Sequence, residues 1–159
     1  MSRTVSDVGT AGPPVLGGVD SITVPVPDLN EGLRFYRDQL HHELLWRNDD
    51  IGQAGLRLPH SNTELVLSTT LGAAVNWLVA SVTDAVESVV AAGGSVIAEP
   101  VAIPVGTVAV VRDPFGNDLV LLDLSRGRYR TDAAGHVVAV ERDNGTEPGI
   151  DGASNPPVS

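Results

Sequence analysis

Asn117-Asp118-Leu119-Val120-Leu121 repeats Thr63-Glu64-Leu65-Val66-Leu67 at a distance of 54 residues. In both, a polar residue and an acid lead into three aliphatic residues, the pattern of a short strand entered from a turn. Ile51-Gly52 and Val105-Gly106 keep the same offset. Farther upstream the offset becomes 53, where Asp28-Leu29-Asn30-Glu31 stands opposite Ser81-Val82-Thr83-Asp84. Each quartet opens with a short oxygen-bearing side chain and carries an acid three residues later. That pattern suits a helix N-terminus, where a side-chain oxygen meets free backbone N–H groups and negative charge is favoured.

Apolar residues at Leu29, Leu33, Tyr36 and Leu40 extend the first helix. Val82, Ala85, Val86, Val89 and Val90 extend the second, which stops at Gly93-Gly94. One strand precedes each helix (20–26 and 75–80). Three follow each, near 43–47, 52–58 and 63–69, and near 95–98, 106–112 and 118–123. The predicted fold is therefore α+β: two tandem βαβββ modules, residues 18–71 and 72–124. Each module has one helix for one face of its sheet, so the other faces must close on a shared interior. Eight strands are expected to form a curved mixed sheet around a central cavity, with the helices outside.

Around this unit, residues 1–17 and 144–159 are rich in Gly, Ser, Thr and Pro and read as disordered tails. Residues 125–143 contain a short apolar run after a Gly and are expected to add a hairpin. No apolar run is long enough for a secretory signal or a membrane span, so a cytoplasmic protein without membrane contact is expected. The chain of 159 residues has a formal charge of −10, and all ten basic residues are Arg. Fourteen acids against five arginines give residues 18–124 a net charge of −9, so the acidity belongs to the domain. It opposes binding to nucleic acid and mildly favours a cationic ligand. With no Cys, neither disulfides nor thiolate metal sites are available.

Over residues 18–124 the sequence resembles the glyoxalase/bleomycin-resistance/extradiol-dioxygenase group, the vicinal oxygen chelate superfamily. The resemblance rests on Val111-Arg112-Asp113-Pro114-Phe115-Gly116-Asn117-Asp118-Leu119-Val120-Leu121, on Val26-Pro27-Asp28-Leu29 leading into Phe35-Tyr36-Arg37-Asp38-Gln39-Leu40, and on Ala91-Ala92-Gly93-Gly94. It implies the fold more strongly than any activity, because the group spans isomerases, epimerases, lyases, dioxygenases, thiol transferases and non-catalytic drug binders. Enzymes of the group hold a divalent metal with His and Glu on the first and last strands of each module. The matching positions here are Ser21, Val66, Ala74 and Val120. Valine and alanine have no donor atoms, and a lone serine is a poor ligand. Moving each strand by one residue brings in only Asp20. His41, His42, His60 and His136 are read as polar surface residues, not as a substitute metal site, so neither metal nor other cofactor is expected.

Strand alternation anchored on those positions predicts an inward set of Ser21, Thr23, Glu64, Val66, Ser68, Ala74, Asn76, Leu78, Val120 and Leu122. In the third strands the repeat offset pairs Ala54, Leu56 and Leu58 with Val108, Val110 and Arg112. Trp77 is expected to face the second helix. The expected ligand contacts are Ser21, Thr23, Trp46, Glu64, Ser68, Asn76, Val110, Arg112 and Val120. Glu64 is the candidate general base, and Arg112 the candidate holder of an anionic oxygen. The leading expectation is a metal-independent small-molecule-binding protein resembling the ligand-sequestering, bleomycin-resistance branch, working as a homodimer. One alternative is an isomerase, lyase or cyclase using Glu64 without metal. Another is an interaction scaffold whose cup is filled by its own side chains.

Overall fold

A computed structural model describes residues 12–142. The first module comprises β1 (Gly18–Pro25), α1 (Leu29–Leu33), β2 (Leu44–Asn48), β3 (Gln53–Arg57) and β4 (Glu64–Ser68). The second comprises β5 (Ala74–Leu78), α2 (Val82–Ala91), β6 (Ser95–Ile103), β7 (Gly106–Arg112) and β8 (Asp118–Asp123). Their strands form one eight-stranded mixed sheet in the order β2-β3-β4-β1-β5-β8-β7-β6. In each module the first strand lies parallel to the last, with Thr23 opposite Val66 and Asn76 opposite Val120. The modules join within the chain through the antiparallel pair β1–β5, where Ser21 faces Asn76.

Both helix starts form as their sequences require. The Asp28 carboxylate accepts the Glu31 N–H at 3.0 Å, and the Ser81 hydroxyl accepts the Asp84 N–H at 3.3 Å. α2 ends in a Schellman turn: Gly94 N–H donates to the Val89 carbonyl and Gly93 N–H to that of Val90. Gly93 has φ 107°, a conformation that a side chain would strain. The first helix departs from expectation. After Leu33 it widens into a π-helical segment, Arg34–Gln39, in which Leu40 N–H reaches back to the Phe35 carbonyl. Wider turns rotate later residues off the apolar stripe. Leu29 and Leu33 are buried and Tyr36 packs at the edge of their cluster, but Leu40 is 47% exposed.

Each helix covers the convex face of its own half-sheet. Leu29 and Leu33 pack on Ala54, Leu56 and Leu67. Val82, Ala85 and Val86 pack on Ala109, Val111 and Leu121, with Trp77 at the margin as alternation predicts. The placement of Ala54 and Leu56 corrects the expected register of β3. They face α1, whereas Gly55 pairs with Val66 and Arg57 with Glu64. Six residues separate β3 from β4 but only five separate β7 from β8, so the true offset ahead of that loop is 55. The Ile-Gly coincidence at 54 hides this extra residue.

Residues 128–141 form the antiparallel pair β9 (Arg128–Thr131) and β10 (Val137–Glu141). Its turn docks on β2, where Arg47 N–H donates to the Gly135 carbonyl at 2.7 Å. Of the expected tails, residues 1–11 and 144–159 lie outside the described residues. At the end of the first, Leu16 packs against the α2 cluster and Gly17 N–H donates to the Leu78 carbonyl. No helix among the described residues is long and apolar enough to cross a membrane.

Asp123 ties the second module together. One carboxylate oxygen accepts the Val82 N–H at the start of α2 (2.9 Å). The other accepts Thr107 N–H (3.1 Å) and the Ser125 hydroxyl (2.7 Å). Burial pushes this carboxyl up, but the hydrogen bonds from Val82, Ser125 and Thr107 outweigh it and hold it below its ordinary value. Asp123→Ala leaves these N–H groups without partners and is expected to cost about 2–3 kcal/mol in urea unfolding. Because the folded value is lowered, the carboxylate stabilises fully above the unfolded carboxyl range. That contribution is lost as pH falls through the folded value, and an acid titration of the variant should lack it.

Candidate functional site

Strand register lays out the concave face as rows of side chains. One row runs Arg57, Glu64, Ser21, Asn76, Val120 and Val110 across β3, β4, β1, β5, β8 and β7. The next contains Gly55, Val66, Thr23 and Ala74. A cavity of ≈ 640 Å³ opens over these rows. Ser21, Thr23, Glu64, Val66 and Asn76 line its floor on the first-module side. Val108, Val120, Leu122, Ile103 and Val105 line it on the other, and Trp46, Arg128, Tyr129 and Thr131 form a wall.

Two irregularities in the sheet aim extra side chains inward. β1 bulges against β5 between Val19 and Ser21, and both Asp20 and Ser21 line the cavity. β2 bulges against β3 between Leu44 and Trp46, and both Leu45 and Trp46 line it. In a regular strand such neighbours would face opposite sides.

The polar groups are connected. Asn76 donates both side-chain N–H bonds, to the Ser21 hydroxyl at 3.0 Å and to the Thr23 hydroxyl at 2.9 Å. Ser21 and Thr23 are 5% and 3% exposed, so these contacts satisfy buried oxygens. The Trp46 indole N–H donates to the Glu64 carboxylate at 2.7 Å. It does so across Gly55, where an added Cβ would stand 2.2 Å from the indole nitrogen and 2.9 Å from the carboxylate. Glycine at 55 is thus the condition for this hydrogen bond. Tyr129 packs on Trp46 with ring centroids 5.0 Å apart.

Burial pushes the Glu64 carboxyl above its ordinary value. The Trp46 hydrogen bond opposes this, nearby Asp20 adds to it, and Arg128 and Arg57 oppose it. Asp20 is raised by burial as well, against the pull of the Ser21 hydroxyl and Arg128. Two partly buried carboxyls therefore share one end of the cavity with the guanidinium of Arg128. The Arg57 guanidinium is held by Glu43 at 2.8 Å.

Of the residues expected at the site, Ser21, Thr23, Trp46, Glu64, Asn76 and Val120 come together around the cavity. Ser68, Val110 and Arg112 are not among its lining residues. Ser68 is fully buried and accepts the Leu71 N–H at 3.0 Å, closing the turn after β4. Val110 lies beyond Val120 in its row. Arg112 is the exposed last residue of β7, two positions along the strand from Val110, and is bonded to Asp118 at 2.7 Å. Sequence reasoning missed Asp20 and Leu45, which enter through bulges, and Arg128, Tyr129 and Thr131, which lie outside the repeat. The alternation Arg128-Tyr129-Arg130-Thr131 was the available sign of a half-buried strand.

The four positions at which the resemblance implies metal ligands remain Ser21, Val66, Ala74 and Val120, and they offer one hydroxyl between them. No group of three or more His, Cys, Asp or Glu among the described residues could hold a metal ion. His42 Nδ1 lies 3.0 Å from the Arg57 carbonyl, outside the cavity lining, and His136 stands beside Asp132. The residues present do not fit the metal.

The family described as Glyoxalase/Bleomycin resistance protein/Dioxygenase superfamily matches residues 18–121. No curated protein matches the chain. Among solved structures, methylmalonyl-CoA epimerase from Mycobacterium tuberculosis is similar at 19% identity and a TM-score of 0.57, over 72% of this chain and 92% of that one. A hypothetical protein from Bacillus halodurans is similar at 19% identity and 0.56, over 72% and 96%. A mutant 4-hydroxymandelate synthase from Streptomyces coelicolor is similar at 16% identity and 0.51, over 70% and 39%. At such identities the likeness is one of fold.

Gly55→Ala should push the indole of Trp46 off Glu64 and cost about 1–3 kcal/mol by overpacking. The indole N–H resonance is expected to move upfield as the bond is lost, and an unchanged resonance would contradict this account. Because the folded Glu64 carboxyl is raised, the folded protein holds more protons than the unfolded one between the two values. Its contribution to stability falls as pH rises through that window. Glu64→Gln should therefore raise the melting temperature more at pH 7 than at pH 4, read by calorimetry at both.

Proposed function

The chain belongs to the glyoxalase/bleomycin resistance protein/dioxygenase superfamily, and on that premise we propose that it binds a small organic molecule in the cavity between its modules, without a metal. The observation that carries this reading is the floor of the cavity. Val66 and Val120 stand where metal-dependent relatives place ligands, yet the space above them is open at ≈ 640 Å³. Cavities of about 300–1,000 Å³ with apolar walls and a few fixed polar groups are the usual form of small-molecule sites. The open volume disfavours the filled-cup scaffold.

The Ser21–Asn76–Thr23 cluster and the Trp46–Glu64 pair supply the fixed polar groups, held on strands instead of loops. A side chain so held keeps its direction without a ligand, which lowers the ordering cost of binding. Retention or sequestration of the bound molecule, as in the bleomycin-resistance branch, needs nothing further from the chain.

A second reading is favoured by one feature. Glu64 is raised toward the working range of a general acid or base and oriented by Trp46, so proton transfer to or from a bound substrate is chemically available. Loss of turnover with retained binding in Glu64→Gln would select this reading.

Two measurements test the principal proposal. Elemental analysis of the purified protein should find no stoichiometric divalent metal, and added Zn²⁺, Mn²⁺ or Ni²⁺ should leave the melting temperature unchanged. One tightly held equivalent would overturn metal independence. A Val120→Trp variant should fold, yet lose most of the thermal stabilisation that cavity ligands give the native protein in EDTA. Equal stabilisation of both proteins would remove the cavity from the account.

A further inference from the structure

Resting on the small-molecule reading, we infer that the cavity takes an amphipathic amine: a positively charged nitrogen beside Asp20 and Glu64, and an apolar body across Val108, Val120 and Leu122. The fold is a pseudo-symmetric duplication, but the chemistry of its cavity is not symmetric. In the first module the central row reads Glu64–Ser21, continuing into Asn76 at the junction. Beyond Asn76 the second module lines the cavity with Val120 and Leu122, joined by Val108, Ile103 and Val105, while Asp118, the repeat mate of Glu64, is turned to Arg112 outside the lining. A ligand spanning both halves must therefore be polar at one end and apolar at the other, since either mismatch leaves buried groups without partners.

The sign of the polar end follows from the groups around it. Asp20 comes from the bulge of β1, Glu64 from β4 and Arg128 from β9. Arg57, the other cation in the lining, is paired with Glu43 from outside it. Two carboxyls thus face one guanidinium, and both are partly withdrawn from water, so each gains from a further positive charge. Trp46 and Tyr129 wall the same end. Aromatic faces beside carboxylates suit an ammonium group, which they attract through their quadrupoles while shedding its water. A carboxylate or phosphate ligand would meet two like charges.

The polar floor adds an independent requirement. Thr23 is 3% exposed and lines the cavity, and its oxygen accepts from Asn76. Among the described residues its hydroxyl proton has no acceptor, and the side-chain carbonyl of Asn76 has no donor. A ligand placed over them finds one donor and one acceptor side by side. A primary ammonium, with a third N–H to give Asn76 beyond the two directed at the carboxylates, fits better than a quaternary one.

The test uses three probes of one shape: 4-phenylbutylammonium, 4-phenylbutanol and 4-phenylbutyrate, titrated into the full chain by calorimetry and by tryptophan fluorescence. The ammonium should bind at least about tenfold more tightly than the alcohol, the strength of one charge-assisted contact, and the carboxylate most weakly. Asp20→Asn and Glu64→Gln should each shrink the ratio of ammonium to alcohol affinity, and the native comparison stands even if one variant fails to fold. Equal binding of the three, or tightest binding of the carboxylate, would overturn this inference and leave the cavity reading intact. Failure of all three to bind would overturn both.

Discussion

The antiparallel junction of β1 with β5 is the constraint on which the cavity depends. Each module alone is a four-strand sheet with one helix, able to cover only its convex face. Joining the modules edge to edge places Ser21 and Thr23 beside Asn76 and Ala74, so the two concave faces become walls of one space. The junction also brings the Asn76 amide from β5 between two hydroxyls of β1, a hydrogen-bonded cross-link between modules. Buried polar groups of this kind are costly when misaligned by one residue, because each loses its partner. The same contacts therefore pin the register of the two modules and furnish the floor of the site.

Most of the fold was legible because it is duplicated. Two helix caps, two aliphatic tracts and a shared offset gave every strand a mate against which its alternation could be checked. Legibility failed where the duplication does. One extra residue before β4 moved Ala54 and Leu56 to the helix side, and the π-helical widening after Leu33 left Leu40 exposed. Within the site, regular alternation found Ser21, Thr23, Glu64, Asn76 and Val120. It had no means of finding Asp20 or Leu45, since a bulge breaks the period on which alternation rests. Ser68 and Arg112 have the alternation of cavity residues but sit at strand ends. There one closes a turn and the other pairs with Asp118.

Duplication gives the scaffold, and departure from it gives the chemistry. A symmetric pair of modules presents the same wall twice and so suits a symmetric occupant, such as an ion held equally from both sides. Here Val120 answers Val66 symmetrically, while Glu64 has Asp118 as its mate in the repeat, paired with Arg112 away from the cavity. The β9–β10 hairpin completes the imbalance by packing Tyr129 against Trp46 on the first module's side. Gly55 completes it at close range, because any side chain there would separate the indole from Glu64.

Valine at two of the four positions where the family resemblance implies metal ligands has a physical consequence for the proposed metal-free binding. A metal centre organises a substrate through one strong, nearly isotropic attraction, and the surrounding wall can be permissive. With valine at those positions, the proposed ligand would be oriented by many weaker directional contacts and by apolar shape. Such contacts discriminate only if they are rigid before the ligand arrives. That condition holds for the first module and β5, where the indole, two hydroxyls, the Asn76 amide and two carboxyls are positioned by strand register and by one another. Beyond β5 the second module's share of the wall is apolar. Ligand contact there would gain from area removed from water, at about 25 cal/mol per Å² and with no demand on direction. In the proposed binding mode the polar half would select the molecule and the apolar half would set how strongly it is held.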